Sequence, residues 1–164
     1  MYAPYIDQDR KFPVVMQKDA HLIEQGNYFY LTGIATIDND EQITFTMRPP
    51  AGEDIHLEFR VEGIGPTKTY IRENVVYDPS SAGTMLTPMN RNRNSSKTSV
   101  CSLRALPALT DSGDLIVTIA SGARGVSGLI DDNLILKSGV ETIIIIESGG
   151  NGNIISYRNR WSEV

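Results

Sequence analysis

Short segments in which apolar and polar residues alternate constrain the fold of this chain more than any other feature. The clearest segment is 56–62, where Leu57, Phe59 and Val61 alternate with four polar residues. Successive side chains of a strand point to opposite faces, so this pattern is typical of a half-exposed antiparallel strand. Residues 42–47 repeat it with Ile, Phe and Met on the apolar side.

Similar segments, separated by turn residues, predict about ten strands after residue 20. They are 20–23, 28–37, 42–47, 55–62, 68–76, 98–103, 115–120, 134–136, 141–147 and 154–161. No segment of helical length carries a capped 3.6-residue stripe, and prolines interrupt the candidates. The predicted fold class is therefore all-β: an antiparallel two-sheet β-sandwich of the jelly-roll type.

Two of these segments support more specific predictions. The four isoleucines 143–146 are apolar on both sides of a strand, which predicts a central strand covered on both faces. Between this run and 154–161 lies a segment rich in Gly and Asn, a composition that favours a hairpin. We therefore predict that 141–147 and 154–161 pair as antiparallel neighbours.

The chain has 164 residues, the size of one domain. Residues 1–19 lack periodicity and contain two prolines, so we predict an extended N-terminal arm followed by a single β-sandwich domain over 20–164. Three aromatic residues of the arm, Tyr2, Tyr5 and Phe12, are candidate anchors on a partner. Packing against their own domain is the alternative.

Charge and hydropathy limit the classes of partner that this chain is expected to bind. The formal net charge is −5, whereas nonspecific nucleic-acid binding calls for an excess of Lys and Arg. No apolar run reaches the roughly 20 residues that span a bilayer, and the first residues lack the pattern of a signal peptide. We expect no nucleic-acid partner, no membrane and no secretion.

Few residues suggest catalysis or metal binding. The single cysteine, Cys101, has no intrachain partner and is interpreted as a structural thiol. His21 and His56 lack metal-ligand spacing. We therefore expect no cofactor, no metal and no enzymatic activity, although a carboxylate pair for glycoside cleavage remains open. A glycine-rich loop at 121–128 carries Arg124 near its tip as a candidate partner contact.

Asparagine and arginine alternate strictly within 86–99, LTPMNRNRNSSKTS. In an extended chain, Arg91 and Arg93 would face one side and the asparagines the other. Two guanidinium groups on one side suit carboxylates of a partner or of an adjacent copy. The other interpretation is a surface segment whose asparagines satisfy turn backbone while the arginines are solvated.

This segment resembles one found in tailed-bacteriophage virion proteins of the capsid decoration (head cement) type. Further stretches carry the resemblance: 21–23 with 26–30, 57–63, 70–74, 83–95, and 153–156 with Trp161. It implies a structural protein, made in the host cytoplasm, that forms homo-oligomers and binds the major capsid protein on the surface of the assembled capsid. The alternative is a carbohydrate- or receptor-binding module of a head or tail fibre, because β-sandwiches also host such sites.

Overall fold

The computed structural model describes residues 5–6, 13–14, 18–81, 83–122 and 128–163, and at 5–6, 13–14, 18, 79 and 128–133 it describes only the backbone. Short strands dominate this part of the chain, with one α-helix and one 3-10 turn at Pro79–Ser81. In chain order the elements are β1 (Tyr5–Ile6), β2 (Pro13–Val14), α1 (Lys18–Glu24), β3 (Tyr28–Ile37), β4 (Gln42–Arg48), β5 (Ile55–Gly63), β6 (Thr67–Glu73), β7 (Val76–Tyr77), β8 (Thr84–Leu86), β9 (Met89–Asn90), β10 (Ser102–Ala105), β11 (Leu109–Asp111), β12 (Asp114–Ser121), β13 (Gly128–Leu136), β14 (Thr142–Ser148) and β15 (Asn153–Glu163).

Two large antiparallel sheets enclose the core. One has six strands in the order β12-β6-β14-β4-β10-β8, and the other has five in the order β13-β5-β15-β3-β9. Two small ladders, β1 with β2 and β7 with β11, complete the described sheets. This arrangement confirms the all-β, two-sheet prediction. The jelly-roll type, the N-terminal arm and the domain bounds remain predictions.

Alternating side chains of both sheets build the core, as the sequence pattern predicts. Leu57, Phe59 and Val61 are all buried and belong to one apolar cluster with residues of the opposite sheet. Trp161 stacks on Phe29, with ring centroids 6.1 Å apart. Burial of such large side chains is the main favourable term in folding, at about 1.5–3 kcal/mol for each aliphatic or Phe side chain.

The isoleucine run forms a central strand, which confirms that prediction. β14 lies between β6 and β4, and Ile143, Ile144 and Ile146 are fully buried. Ile143 points away from the core cluster that contains its neighbours, so its side of the sheet is also covered. In the same cross-strand row as Ile143, the guanidinium of Arg104 in β10 lies 5.7 Å from the centre of the Tyr77 ring in β7.

The predicted hairpin between 141–147 and 154–161 is wrong. β14 pairs with β4 and β6, whereas β15 pairs with β3 and β5 in the other sheet. The intervening residues cross from one sheet to the other beside Pro66, whose carbonyl accepts from Gly149 N and Asn153 Nδ2. Gly and Asn permit a tight reversal, but each strand finds two better partners elsewhere.

Residues 20–23 are also not a strand, because they belong to helix α1. A Schellman turn ends this helix: Gly26 N donates to Ile23 O and Asn27 N donates to Leu22 O. Gly26 has a φ of 73°, a left-handed conformation that glycine adopts at little cost. The helix is too short for its seven residues to show a helical period that is distinct from alternation.

Candidate functional site: an arginine groove on the five-stranded sheet

Arginines are concentrated on the outer face of the five-stranded sheet. In the register of β5, β15 and β3, Arg158 lies directly opposite Arg60 on one side and Thr32 on the other. The next row places Arg160 between Glu58 and Tyr30. Alternation in β15 turns both arginines outward, because Asn159 between them is fully buried and donates its amide to Met47 Sδ.

The Asn/Arg segment lies at the edge of this face, but not in the extended conformation that the sequence analysis assumed. Its strand, β9, ends at Asn90. Beyond that point, Asn92 N donates to Asn90 Oδ1 at 2.9 Å and Asn94 N donates to Asn92 Oδ1 at 3.0 Å. These are Asx turns, in which a side-chain oxygen replaces the ladder partner of a backbone amide.

The same asparagines fasten the segment to the end of α1. Asn90 Nδ2 donates to Gly26 O at 2.9 Å and to Lys97 O at 3.1 Å, and Asn92 Nδ2 donates to Glu24 O at 3.0 Å. The interpretation in which asparagines satisfy turn backbone therefore describes their role. The arginine side chains between them take no part in these hydrogen bonds.

Arg91 and Arg93 nevertheless face a common groove with the strand arginines. Arg91 N donates to Tyr28 O at 2.9 Å, and its guanidinium carbon lies 5.2 Å from the centre of the Tyr28 ring. The groove has a volume of about 370 Å³. We call it the arginine groove, and its lining residues are Tyr30, Thr32, Arg91, Arg93, Arg158 and Arg160.

A smaller depression continues from the arginine groove along the sheet, because the two share Thr32 and Arg158. Arg60 and Glu62 line this continuation with Ser156. Five of the ten arginines in the sequence therefore lie on one face of a chain whose net charge is negative.

Only some of this positive charge is compensated. Arg160 forms an ion pair with Glu58, and Arg60 Nη2 lies 2.6 Å from Glu62 Oε1. Among the residues that the structure describes, no carboxylate forms an ion pair with Arg91, Arg93 or Arg158. The direct opposition of Arg60 and Arg158 is unfavourable, since like charges in a cross-strand pair destabilise a sheet.

This arrangement suits an anionic ligand. Each guanidinium offers five N–H donors in a planar fork that matches carboxylate, sulfate or phosphate oxygens, and it stays charged at any working pH. A ligand carrying two or more acidic groups would neutralise Arg158 and the pair Arg91 and Arg93 together. It would also relieve the repulsion across the Arg60–Arg158 pair.

Arg158 and Arg160 were not among the predicted contacts, although the sequence carries a signal for them. Residues 158–160 read Arg-Asn-Arg, as residues 91–93 do, and here the extended conformation with its period of two is realised. The other predicted contacts are not placed: Tyr2, Phe12 and Arg124 lie outside the described residues, and for Tyr5 only the backbone in β1 is described. Their partner role stays a prediction.

Cys101 and Trp161 are both buried, which is typical of residues with a structural role. Burial, with Glu163 nearby, raises the pKa of the Cys101 thiol to about 12, so the nucleophilic thiolate is scarce at neutral pH. Trp161 is 1% exposed, and therefore offers no stacking platform to a sugar.

In the described ranges, His, Cys, Asp and Glu form no group of three or more that could hold a metal ion. Over those ranges, no helix is both long and apolar enough to cross a membrane.

Comparisons of the chain with protein-family models, with curated proteins and with solved structures find no match.

Proposed function

We propose that this protein is a structural component of a tailed-phage particle, which decorates and reinforces the capsid by binding the assembled shell through the arginine groove. The observation that carries the proposal is the arginine groove, in which Arg91, Arg93 and Arg158 have no carboxylate partner among the described residues. The resemblance of the sequence to capsid decoration proteins supports the assembled shell as the partner. The groove suggests that the shell is contacted through carboxylates of the major capsid protein.

The distribution of charge favours a protein partner over a nucleic acid. Nonspecific nucleic-acid binding draws on a broad excess of positive charge, whereas the net charge of this chain is −5. A few carboxylates on a protein surface would meet only the local excess of arginine. Charge pairs across an interface give specificity, and truncation of one member of a pair that is buried there costs about 2–5 kcal/mol.

The shape of the surface agrees with such a partner. Thr32, Ile34, Ser156 and Arg158 are exposed on adjacent strands, so the centre of this sheet face is open in the described structure. On the outer face of the other sheet, Tyr77 of the β7–β11 ladder lies over Arg104 of β10. The open face can therefore be laid against a second protein without rearrangement of the fold.

Binding to phage heads that were assembled without this protein tests the proposal. We expect the wild-type protein to co-sediment with such heads and to raise their rupture temperature with occupancy, as RT ln(1 + [L]/Kd) per site predicts for a ligand of the assembled state. Binding should weaken as salt rises, because partly exposed ion pairs are screened. A wild-type protein that leaves the heads unbound would overturn the decoration role.

A pair of double variants separates the groove from charge in general. Arg91→Ala/Arg93→Ala should weaken head binding at least about tenfold, equal to 1.4 kcal/mol. Lys68→Ala/Lys137→Ala removes the same charge from two exposed positions outside the groove and should bind as the wild type does. Equal affinity of the two double variants would exclude the groove as the contact.

A second function draws on the same groove. Guanidinium groups beside Tyr30 and Thr32 would also suit a carboxylated or sulfated sugar, as in a receptor-binding module of a head or tail fibre. Binding of the wild-type protein to acidic glycans in an array, together with no binding to heads, would favour this alternative.

A further inference from the structure

The outer edge of the six-stranded sheet is formed by β12, a strand of eight residues that pairs on one side with β6. No described strand pairs with its other side. An edge strand carries a row of backbone N–H and C=O groups that can pair with another chain, so natural sheets usually protect long edges with charges, proline or bulges.

β12 lacks most of this protection. Its sequence, DLIVTIAS, is uncharged after Asp114 and contains neither Pro nor Gly. Leu115 and Ile116 are 53% and 40% exposed. A bulge between Leu115 and Val117 interrupts the start of the strand, but Val117–Ser121 then runs in regular register with β6. Five uncharged residues, of which Val117, Thr118 and Ile119 have high β-propensity, therefore lie at a regular edge that no described strand pairs with.

The edge of the other large sheet shows the contrast. β13 carries Asp131 and Asp132 in the middle of the strand, at an irregularity between Ile130 and Leu134 where pairing with β5 is interrupted. Charges and an interruption of this kind are the features that prevent edge-to-edge pairing. The remaining terminal strands of the two sheets, β8 and β9, have three and two residues. β12 is thus the long unprotected edge in the described part of the chain.

We infer that β12 pairs antiparallel with β12 of a second copy of this chain, which joins the two six-stranded sheets across a two-fold axis. The occupant is a second copy because β12 is uncharged after Asp114, so two copies that pair antiparallel bring no like charges together there, and a two-fold dimer joins the same surface of both copies. Pairing would satisfy the open backbone groups and cover Leu115 and Ile116. It involves neither the arginine groove nor a capsid, so it can fail or hold independently of the proposed function.

Analytical ultracentrifugation of the purified protein over a range of concentrations tests this inference. We expect a reversible dimer for the wild type and a monomer, or at least a tenfold larger dissociation constant, for Thr118→Lys. Thr118 is exposed near the middle of β12, so the introduced ammonium groups of two copies would lie close together. Thr36→Lys, at an exposed strand position on the other sheet, is the matched control and should remain dimeric.

Charge complementation guards against a folding artefact. A mixture of Thr118→Lys and Thr118→Glu should recover dimerisation that each variant lacks alone, because opposite charges then face each other. The wild-type dimer should also protect the β12 amides from hydrogen exchange more strongly as its concentration rises. A wild-type monomer at all concentrations, or a Thr118→Lys variant that dimerises like the wild type, would overturn the inference.

Discussion

Replacement of Glu163 by Ala should markedly lower the free energy of unfolding. Its carboxylate accepts from Ser99 Oγ at 2.5 Å, from Trp161 Nε1 at 3.1 Å and from Val100 N at 3.2 Å. It therefore connects the last strand to the segment that leads into Cys101 and β10. In Glu163→Ala, the Trp161 indole N–H, on a ring that is otherwise buried, loses its acceptor.

The size of the effect follows from these contacts. A hydrogen bond to a charged group contributes about 1.5–3 kcal/mol, and a buried donor left without a partner costs about 1–3 kcal/mol. Water can replace the acceptor at Ser99 and Val100, so the sum is not reached. We expect a loss of about 2–4 kcal/mol, which corresponds to a decrease in Tm of roughly 5–15 °C for a domain of this size.

Thermal and urea unfolding, followed by circular dichroism, measure this loss. Glu163→Gln keeps one acceptor oxygen and should fall between the wild type and Glu163→Ala. Glu62→Ala is the control, because its ion pair with Arg60 is about half exposed and should contribute only about 0–1 kcal/mol. If Glu163→Ala and Glu62→Ala unfold at the same midpoint, the carboxylate does not hold the 99–101 segment as described.

Two further predictions concern Cys101 and Arg158. Because burial, with Glu163 nearby, raises the pKa of Cys101 from 9.0 to about 12, the unfolded state loses this proton first and stability should fall between pH 9 and 12, by about 1.4 kcal/mol at pH 10. Unfolding of Cys101→Ala across that range measures the effect, and an alkaline loss equal to that of the wild type would contradict it. Arg158→Thr should raise the free energy of unfolding by about 0.2–1 kcal/mol, since it removes the like-charge pair with Arg60, and should weaken head binding. A destabilised Arg158→Thr in urea unfolding would show that Arg158 contributes to the fold.

Alternation and composition were enough to predict the class of fold and most of its strands. Leu57, Phe59 and Val61 show the face of β5 that meets the core, because the period of two is a local property of an extended chain. The isoleucines 143–146 likewise predict a central strand, since an exposed run of that kind would favour aggregation. Such signals depend on residues within a few positions of one another.

The choice of neighbouring strands depends on contacts between residues that are far apart in the sequence. The Gly and Asn residues before Asn153 indicate a turn, but the turn joins different sheets, because β14 and β15 each gain two long ladders with distant partners. Long-range pairing of this kind is not encoded in the local period.

The arginine groove shows the same division. Alternation at 158–160 can be read from the sequence, and it places Arg158 and Arg160 on one side of a strand. Their meeting with Arg91 and Arg93 depends on the Asx turns and on the attachment of Asn90 and Asn92 to the end of α1. The charged side chains can be read directly from the sequence, whereas the packing of β3, β9 and β15 brings them together, because the distance between strands does not depend on separation along the chain.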